Sequence, residues 1–198
     1  DNIYSNGSAF NGKWGRYLDI DNDGITYRTI GGTHPTRGAF VTRGSSRDEY
    51  GVYTEDGAAY QRNVDRLLKK WETAKELVPG PVFYDSDRRQ VTSDKRKGSD
   101  SAPVTRNSSP VTSLGVIFFG TSTDSALEAL ELLAADGIHL DAMRPRAFPF
   151  GEAFREFVES HHRIFVIEQN RDAQFRSLMM IELGTNATKL ISVLNYDG

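Results

Sequence analysis

Apolar residues recur every three or four positions between residues 60 and 78, where Tyr60, Val64, Leu67, Trp71, Ala74 and Val78 mark one face of an α-helix. Thr54 is a good cap, with Glu55 and Asp56 favouring the positive helix end. Gly57 weakens the first turn and moves the start toward Ala58, and Pro79-Gly80-Pro81 ends the helix. An aromatic stripe at this spacing predicts packing in a core or against a subunit. Beyond residue 113 the pattern changes. Leu114 to Phe119 is a continuous apolar run bounded by Gly120, the signature of a strand buried on both faces. Thr121 to Asp124 offer caps for a helix that turns Leu127, Leu130 and Leu133 inward and stops at Gly137. Ile138 to Met143 predicts a strand, and Gly151 to Ser160 a short helix with Phe154, Phe157 and Val158 on one side. Ile164 to Ile167, Asp172 to Leu183 and Lys189 to Leu194 complete the series as strand, helix and strand. Such alternation predicts an α/β fold, a parallel sheet with right-handed crossovers and helices on both faces.

Two polar stretches interrupt these elements. Tyr27 to Asp56 packs glycines, charges and turn residues ahead of the first helix. So long a segment without apolar periodicity is uncommon in a compact domain unless it carries function or is disordered. It is read as a site segment. Residues 1 to about 80 offer few apolar residues before Val64 and lack a core of their own. Residues 81–112 are rich in Ser, Asp, Lys and Arg, with isolated apolar residues too sparse to order the chain, and are expected to be a linker or insertion.

Ligands in parallel sheets gather beyond the carboxyl ends of the strands, where two loops draw notice. Gly120-Thr121-Ser122-Thr123 suits either simple helix capping or anion binding by backbone N–H groups. Glu168-Gln169-Asn170-Arg171-Asp172 sets five polar side chains directly after a buried strand; Glu168, Gln169 and Asn170 are expected either in plain loop chemistry or at a subunit or ligand contact.

Composition narrows the chemistry. The 198 residues are 38% apolar and 26% charged with a net charge of -3, which is globular and argues against a nucleic-acid or anionic-membrane surface. The basic cluster Lys95-Arg96-Lys97 lies among Asp94, Asp100 and serines, and reads as solvated linker. Cysteine is absent, which removes disulfides, thiolate catalysis and any iron–sulfur cluster held by this chain alone, and fits a reducing compartment such as the cytoplasm. No run approaches a membrane span and no signal peptide precedes Asp1; the missing initiator Met suggests a piece of a longer protein. Asp19 to Gly24 opens like a calcium loop, but Ile30 stands where the closing bidentate Glu belongs. His34, His139, His161 and His162 lack metal-ligand spacing and are expected at the surface. Phosphate-loop, dinucleotide and nucleophile-elbow motifs are absent, and the sequons at Asn6, Asn107 and Asn186 read as chance without a secretion signal.

The run Arg28-Thr29-Ile30-Gly31-Gly32-Thr33-His34-Pro35, then Thr42-Arg43-Gly44, Asp48-Glu49-Tyr50 and Tyr53-Thr54-Glu55, resembles the alpha subunit of 2-oxoacid:ferredoxin oxidoreductases, most closely the 2-oxoglutarate type. So do Arg146-Ala147-Phe148-Pro149-Phe150 and Val166 to Asp172. The resemblance spans Trp14 to Gly198 apart from the linker. It implies that residues 13–80 are the tail of a pyrimidine-binding thiamine domain, and 113–198 a transketolase C-terminal-like domain. It also implies oxidative decarboxylation of a 2-oxoacid on thiamine diphosphate with Mg2+, electrons passed singly through a [4Fe-4S] cluster to ferredoxin, release of an acyl-CoA, and a beta subunit as partner.

By the same resemblance, Arg28 and Arg43 are candidate clamps for a doubly charged substrate, Thr42 a donor to a substrate oxygen, and His34 a proton carrier. The sequence departs from the family at Gly31, where Pro is usual, and at Arg47, where His is usual. A fixed positive charge cannot shuttle protons. The carboxylate that activates the thiamine ring and the Gly-Asp-Gly metal loop are not visible in this sequence, so no turnover is expected from this chain alone. The competing expectations are a non-catalytic α/β interaction module and an anion-binding regulatory domain using Thr121 to Thr123.

Overall fold

A computed structural model describes residues 14–32, 35, 46–84, 90–92 and 114–196, and the chain divides into two compact units, Asp1–Leu77 and Val78–Gly198. No helix among the described residues is long and apolar enough to cross a membrane.

Among the described residues, the first unit has one long helix, α1 (Gly57–Leu77), clasped by parts of the segment before it. The cap is Asp56 rather than Thr54: its carboxylate accepts from Ala58 N and Ala59 N at 3.3 and 3.0 Å, while Thr54 Oγ1 takes Asp56 N. Of the two expected uses of the apolar stripe, core or subunit contact, a core is not what the described residues build around it. Tyr60, Leu67 and Trp71 are 54%, 50% and 39% exposed, and Ala59 is the one buried residue of the helix. Packing uses the polar flank instead. Gly24, at φ +82°, lies so close to α1 that a Cβ there would stand 2.1 Å from Lys70 N. Around this contact Arg66 Nη1 donates to Gly24 O at 3.0 Å, Thr73 Oγ1 to Asp23 O, and Lys69 Nζ to Asn22 Oδ1. Further along, Asn63 Nδ2 donates to Arg47 O at 2.6 Å. Side-chain length explains the inversion, since Arg, Lys, Asn and Thr reach backbone carbonyls of an irregular segment that offers few apolar groups.

The second unit is a six-stranded sheet. Its strands are β1 (Val82–Tyr84), β2 (Gln90–Thr92), β3 (Leu114–Ile117), β4 (Asp141–Arg144), β5 (Arg163–Glu168) and β6 (Leu190–Leu194). Their spatial order is β2-β1-β4-β3-β5-β6. Strands β4, β3, β5 and β6 run parallel, and β1 is antiparallel to both β4 and β2. The parallel sheet expected from the alternation is therefore present, with an antiparallel pair added at one edge. That pair comes from residues expected to be linker. Three alternating apolar residues suffice: Val82 is 2% exposed, Phe83 packs on Phe157 and Tyr84 on Phe118, one to each face.

Helix α2 (Thr123–Ala135) covers one face; α3 (Glu152–Ser160) and α4 (Gln174–Leu183) cover the other. Alternation along each strand divides the core. Ile117, Met143, Ile164 and Val166 meet Phe154, Phe157 and Met179, whereas Val116, Phe118 and Ala142 meet Leu127, Leu130 and Leu133. The strand expected at Ile138 begins later, at Asp141, because Ile138 is 47% exposed in the turn after α2.

His161, expected at the surface, is 3% exposed. Its ring lies on Phe157, with Nδ1 2.7 Å from Phe157 O and Nε2 3.1 Å from Asp141 Oδ2. Gly115 makes room for it, since a Cβ there would meet His161 Cγ at 3.1 Å and Phe157 Cε1 at 3.2 Å. Gly115→Val should therefore destabilise this unit by about 1–3 kcal/mol through overpacking. Denaturant titration would read this as a lower midpoint, and an unchanged midpoint would mean that the imidazole moves aside freely.

Arg62 pairs with Glu49 in the first unit and, chiefly by that hydrogen bond, holds its carboxyl below the ordinary range. A depressed carboxyl adds stability above its unfolded value and loses it as pH falls through the folded one. Glu49→Gln should thus flatten the acid limb of the stability profile below about pH 5, measured as melting temperature against pH; a limb of unaltered steepness would assign the acid loss to other carboxylates.

Candidate functional site

The polar segment builds its site around Tyr17 and Thr29. Arg16 Nη1 donates to both Thr29 O and Thr29 Oγ1, at 3.0 and 3.1 Å, which holds Thr29 at 7% exposure. Arg28, next in the chain, is exposed. Arg66 reaches across from α1 with its guanidinium carbon 5.8 Å from the Tyr17 ring centroid. Burial lowers the pKa of Arg66; the Asp19 charge opposes this, and the Arg28 charge adds to it. Three arginines thus gather on one small surface.

Carboxylates close by are committed elsewhere. Asp19 takes Asp23 N and Gly24 N at 3.1 and 3.0 Å, Asp23 takes Ile25 N at 2.8 Å, and Asp21 accepts from Tyr27 OH. This is how the stretch resembling a calcium loop is used: its acids close a turn on themselves. Asp48 caps a second turn through Tyr50 N and Val52 N, and Glu49 pairs with Arg62 rather than with Arg28. Arg47 donates to Gly51 O at 2.9 Å. Among the described residues, neither Arg28 nor Arg66 has an ion-pair partner. His34, Thr42 and Arg43 lie outside the described residues. Arg16 and Arg66 were not singled out in the sequence. The available signal was the polar flank Arg62, Arg66, Lys69, Thr73, repeating at the same three-to-four spacing as the apolar stripe.

A second cluster sits at the carboxyl ends of β3 and β5. From β3 the chain passes through α2 to β4 on one face, and from β5 through α4 to β6 on the other, so the loops after these adjacent strands diverge. Thr121 Oγ1 meets Gln169 Oε1 at 2.5 Å across that divide. Ser122 and Thr123 turn their hydroxyls back onto Phe119 O and Gly120 O, both at 2.7 Å. Beneath them Phe119 packs on Phe175, and Phe150 stacks on Phe154 at 4.0 Å.

Glu168 is 1% exposed and faces inward. Its carboxylate accepts from Phe175 N, Arg176 N and Asn170 Nδ2 at 2.8, 2.9 and 2.7 Å. It therefore does the work of a helix cap for α4, whose own N-cap residue, Ala173 at φ 48°, makes no side-chain cap hydrogen bond. Asn170 Oδ1 holds Asp172 N and Gln174 N. Of the three residues expected at a contact, Glu168 and Asn170 shape the loop from within, and Gln169 is exposed. Glu168→Gln should cost about 1–3 kcal/mol, since an amide oxygen replaces a charged acceptor and the amide nitrogen cannot accept. Hydrogen exchange at the Phe175 and Arg176 amides should quicken; protection equal to the parent would remove the capping role.

No protein-family profile matches this chain. It is 25% identical over 166 residues, 83% of its length, to "2-oxoacid:ferredoxin oxidoreductase 2, subunit alpha" of Aeropyrum pernix. That alignment spans 22% of the longer protein. A solved 2-oxoglutarate:ferredoxin oxidoreductase from Magnetococcus marinus, with 2-oxoglutarate, coenzyme A and succinyl-CoA bound, superimposes with a TM-score of 0.64 at 17% identity. The superposition covers 93% of this chain and 28% of that one. The chain is thus similar in sequence to the alpha subunit of a 2-oxoacid:ferredoxin oxidoreductase, of which it spans about a fifth, and in fold to part of a 2-oxoglutarate:ferredoxin oxidoreductase.

Proposed function

We propose that this chain is part of the alpha subunit of a thiamine diphosphate-dependent 2-oxoglutarate:ferredoxin oxidoreductase, and that its polar segment borders the place where the 2-oxoacid binds. Residues 1–80 would close a pyrimidine-binding thiamine domain, and residues 113–198 would follow as the transketolase C-terminal-like domain. Two similarities support this reading, one of sequence and one of fold. The observation that carries the site is Arg28, an exposed guanidinium with no carboxylate paired to it among the described residues, in the segment that resembles the family most closely. Such a group fits a substrate carboxylate, to which Arg presents two parallel donors and fixes orientation as well as charge. Thr42, Arg43 and His34 are proposed beside it as donor, second clamp and proton carrier.

The residues present do not fit the complete set of cofactors. The chain has no cysteine for an iron–sulfur cluster, and among the described residues no three His, Asp or Glu converge to hold Mg2+. In this reading thiamine diphosphate with its Mg2+, the [4Fe-4S] cluster and CoA are held by the rest of the alpha subunit and by the beta subunit, and ferredoxin receives the electrons there. Bound thiamine diphosphate supplies the carbanion-stabilising chemistry of decarboxylation. This chain's part is to bind and orient the anion, and alone it has no turnover.

Arg28→Ala in the assembled enzyme should lower kcat/KM for 2-oxoglutarate about 30-fold or more, the worth of a charge-assisted hydrogen-bonded pair, with subunit assembly intact by gel filtration. Lost assembly with normal residual turnover would instead make the segment a docking element.

A further inference from the structure

We infer that Arg66 is a further cation of the site to which Arg28 belongs, and that with Arg28 it favours a 2-oxoacid carrying a second carboxylate over one carrying a single carboxylate. The inference rests on the 2-oxoacid reading above and adds to it a residue outside the resembling motifs. Arg66 is brought to the segment by the tightest contact of the first unit, the approach of Gly24 to α1 at Lys70. Its Nη1 is anchored on Gly24 O at 3.0 Å, and its guanidinium lies over Tyr17. Tyr17 follows Arg16, whose Nη1 grips Thr29, the neighbour of Arg28. Two short links therefore tie Arg66 and Arg28 to one surface.

Hydrogen-bonding capacity is left over there. The Nε of Arg66 is buried without a hydrogen-bond partner. Asp19, Asp21, Asp23 and Glu49 already accept from backbone amides, Tyr27 or Arg62. Burial is the largest influence lowering the Arg66 pKa; the Asp19 charge opposes it, and the positive charge of Arg28 adds to it. Guanidinium does not give up its proton at neutral pH, so both members of the pair stay charged. A monoanion relieves one member of such a pair. A dianion relieves both, which makes the difference between the two substrates the quantity that Arg66 controls.

The test compares 2-oxoglutarate with 2-oxobutanoate in the assembled alpha–beta enzyme. Arg66→Gln keeps a donor for Gly24 O and removes the charge, and Arg66→Lys keeps the charge. The expected result is a fall of about tenfold in the ratio of kcat/KM for the dicarboxylate to that for the monocarboxylate in R66Q, carried mainly by KM, with most of it recovered in R66K. An equal loss on both substrates, or an unchanged ratio, overturns the inference and leaves Arg66 as a clasp for Gly24 alone. Absence of 2-oxoacid turnover in the parent enzyme overturns the proposed function and this inference with it.

Discussion

Backbone meets backbone at Gly24 and Lys70, and the first unit is organised around that approach. A side chain at position 24 would collide with the helix, and φ of +82° is a conformation that glycine adopts without steric penalty. The contact explains why α1 presents its polar flank to the segment that precedes it. At such close range only groups that hydrogen-bond to carbonyls can fill the space, and Arg66 and Thr73 do so on both sides of Gly24. The same approach sets the electrostatics. It carries a guanidinium from the helix to a place where the charges of both Asp19 and Arg28 act on it.

The second unit relies on a different device. A helix leaves its first N–H groups without acceptors inside the helix, and the residue preceding α4 is Ala173, which has no side-chain acceptor to offer. The acceptor comes from the end of the neighbouring strand, where Glu168 turns its carboxylate under the first turn of α4. Burying a carboxylate is costly unless its oxygens are well supplied with donors, and three donors reach this one. The loop between strand and helix is held from inside as a result, which leaves Gln169 as the side chain directed to Thr121 across the divide between β3 and β5.

Much of this unit was legible in the sequence because burial on two faces writes itself as continuous apolar runs. Leu114 to Phe119 and Ile164 to Ile167 became central strands, and Leu127, Leu130 and Leu133 became the inner side of α2. What stayed hidden was short or depended on contacts distant in the chain. Val82 to Tyr84 is too brief to show a period, and its partner strand sits in a run that reads as disordered. His161 is polar by type, and only the space above Gly115 buries it. Glu168 looked like a contact residue because a carboxylate after a strand has no local mark of whether it turns in or out. In the first unit the periodicity predicts α1 and its apolar face, but not whether that face meets a core of this chain or another subunit, since amphipathicity tells which face is apolar and says nothing about which face the rest of a short chain can cover.

That exposure bears on what the first unit is. Tyr60, Leu67, Trp71 and Leu77 remain 39–71% exposed on a helix whose other side is fully occupied by polar contacts. Burial of large apolar side chains contributes about 1.5–3 kcal/mol each, so a helix that forgoes it is held by the described segment through hydrogen bonds and one glycine-permitted approach, at Gly24. Hydrogen bonds of that kind return only about 1 kcal/mol apiece after the exchange with water. The described residues of the first unit therefore draw little stability from apolar burial along α1. In the proposed alpha subunit the exposed stripe would be available to polypeptide outside this chain, while the opposite flank would hold Arg66 beside Arg28. The two sides of α1 would then divide the labour, one for assembly and the other for charge.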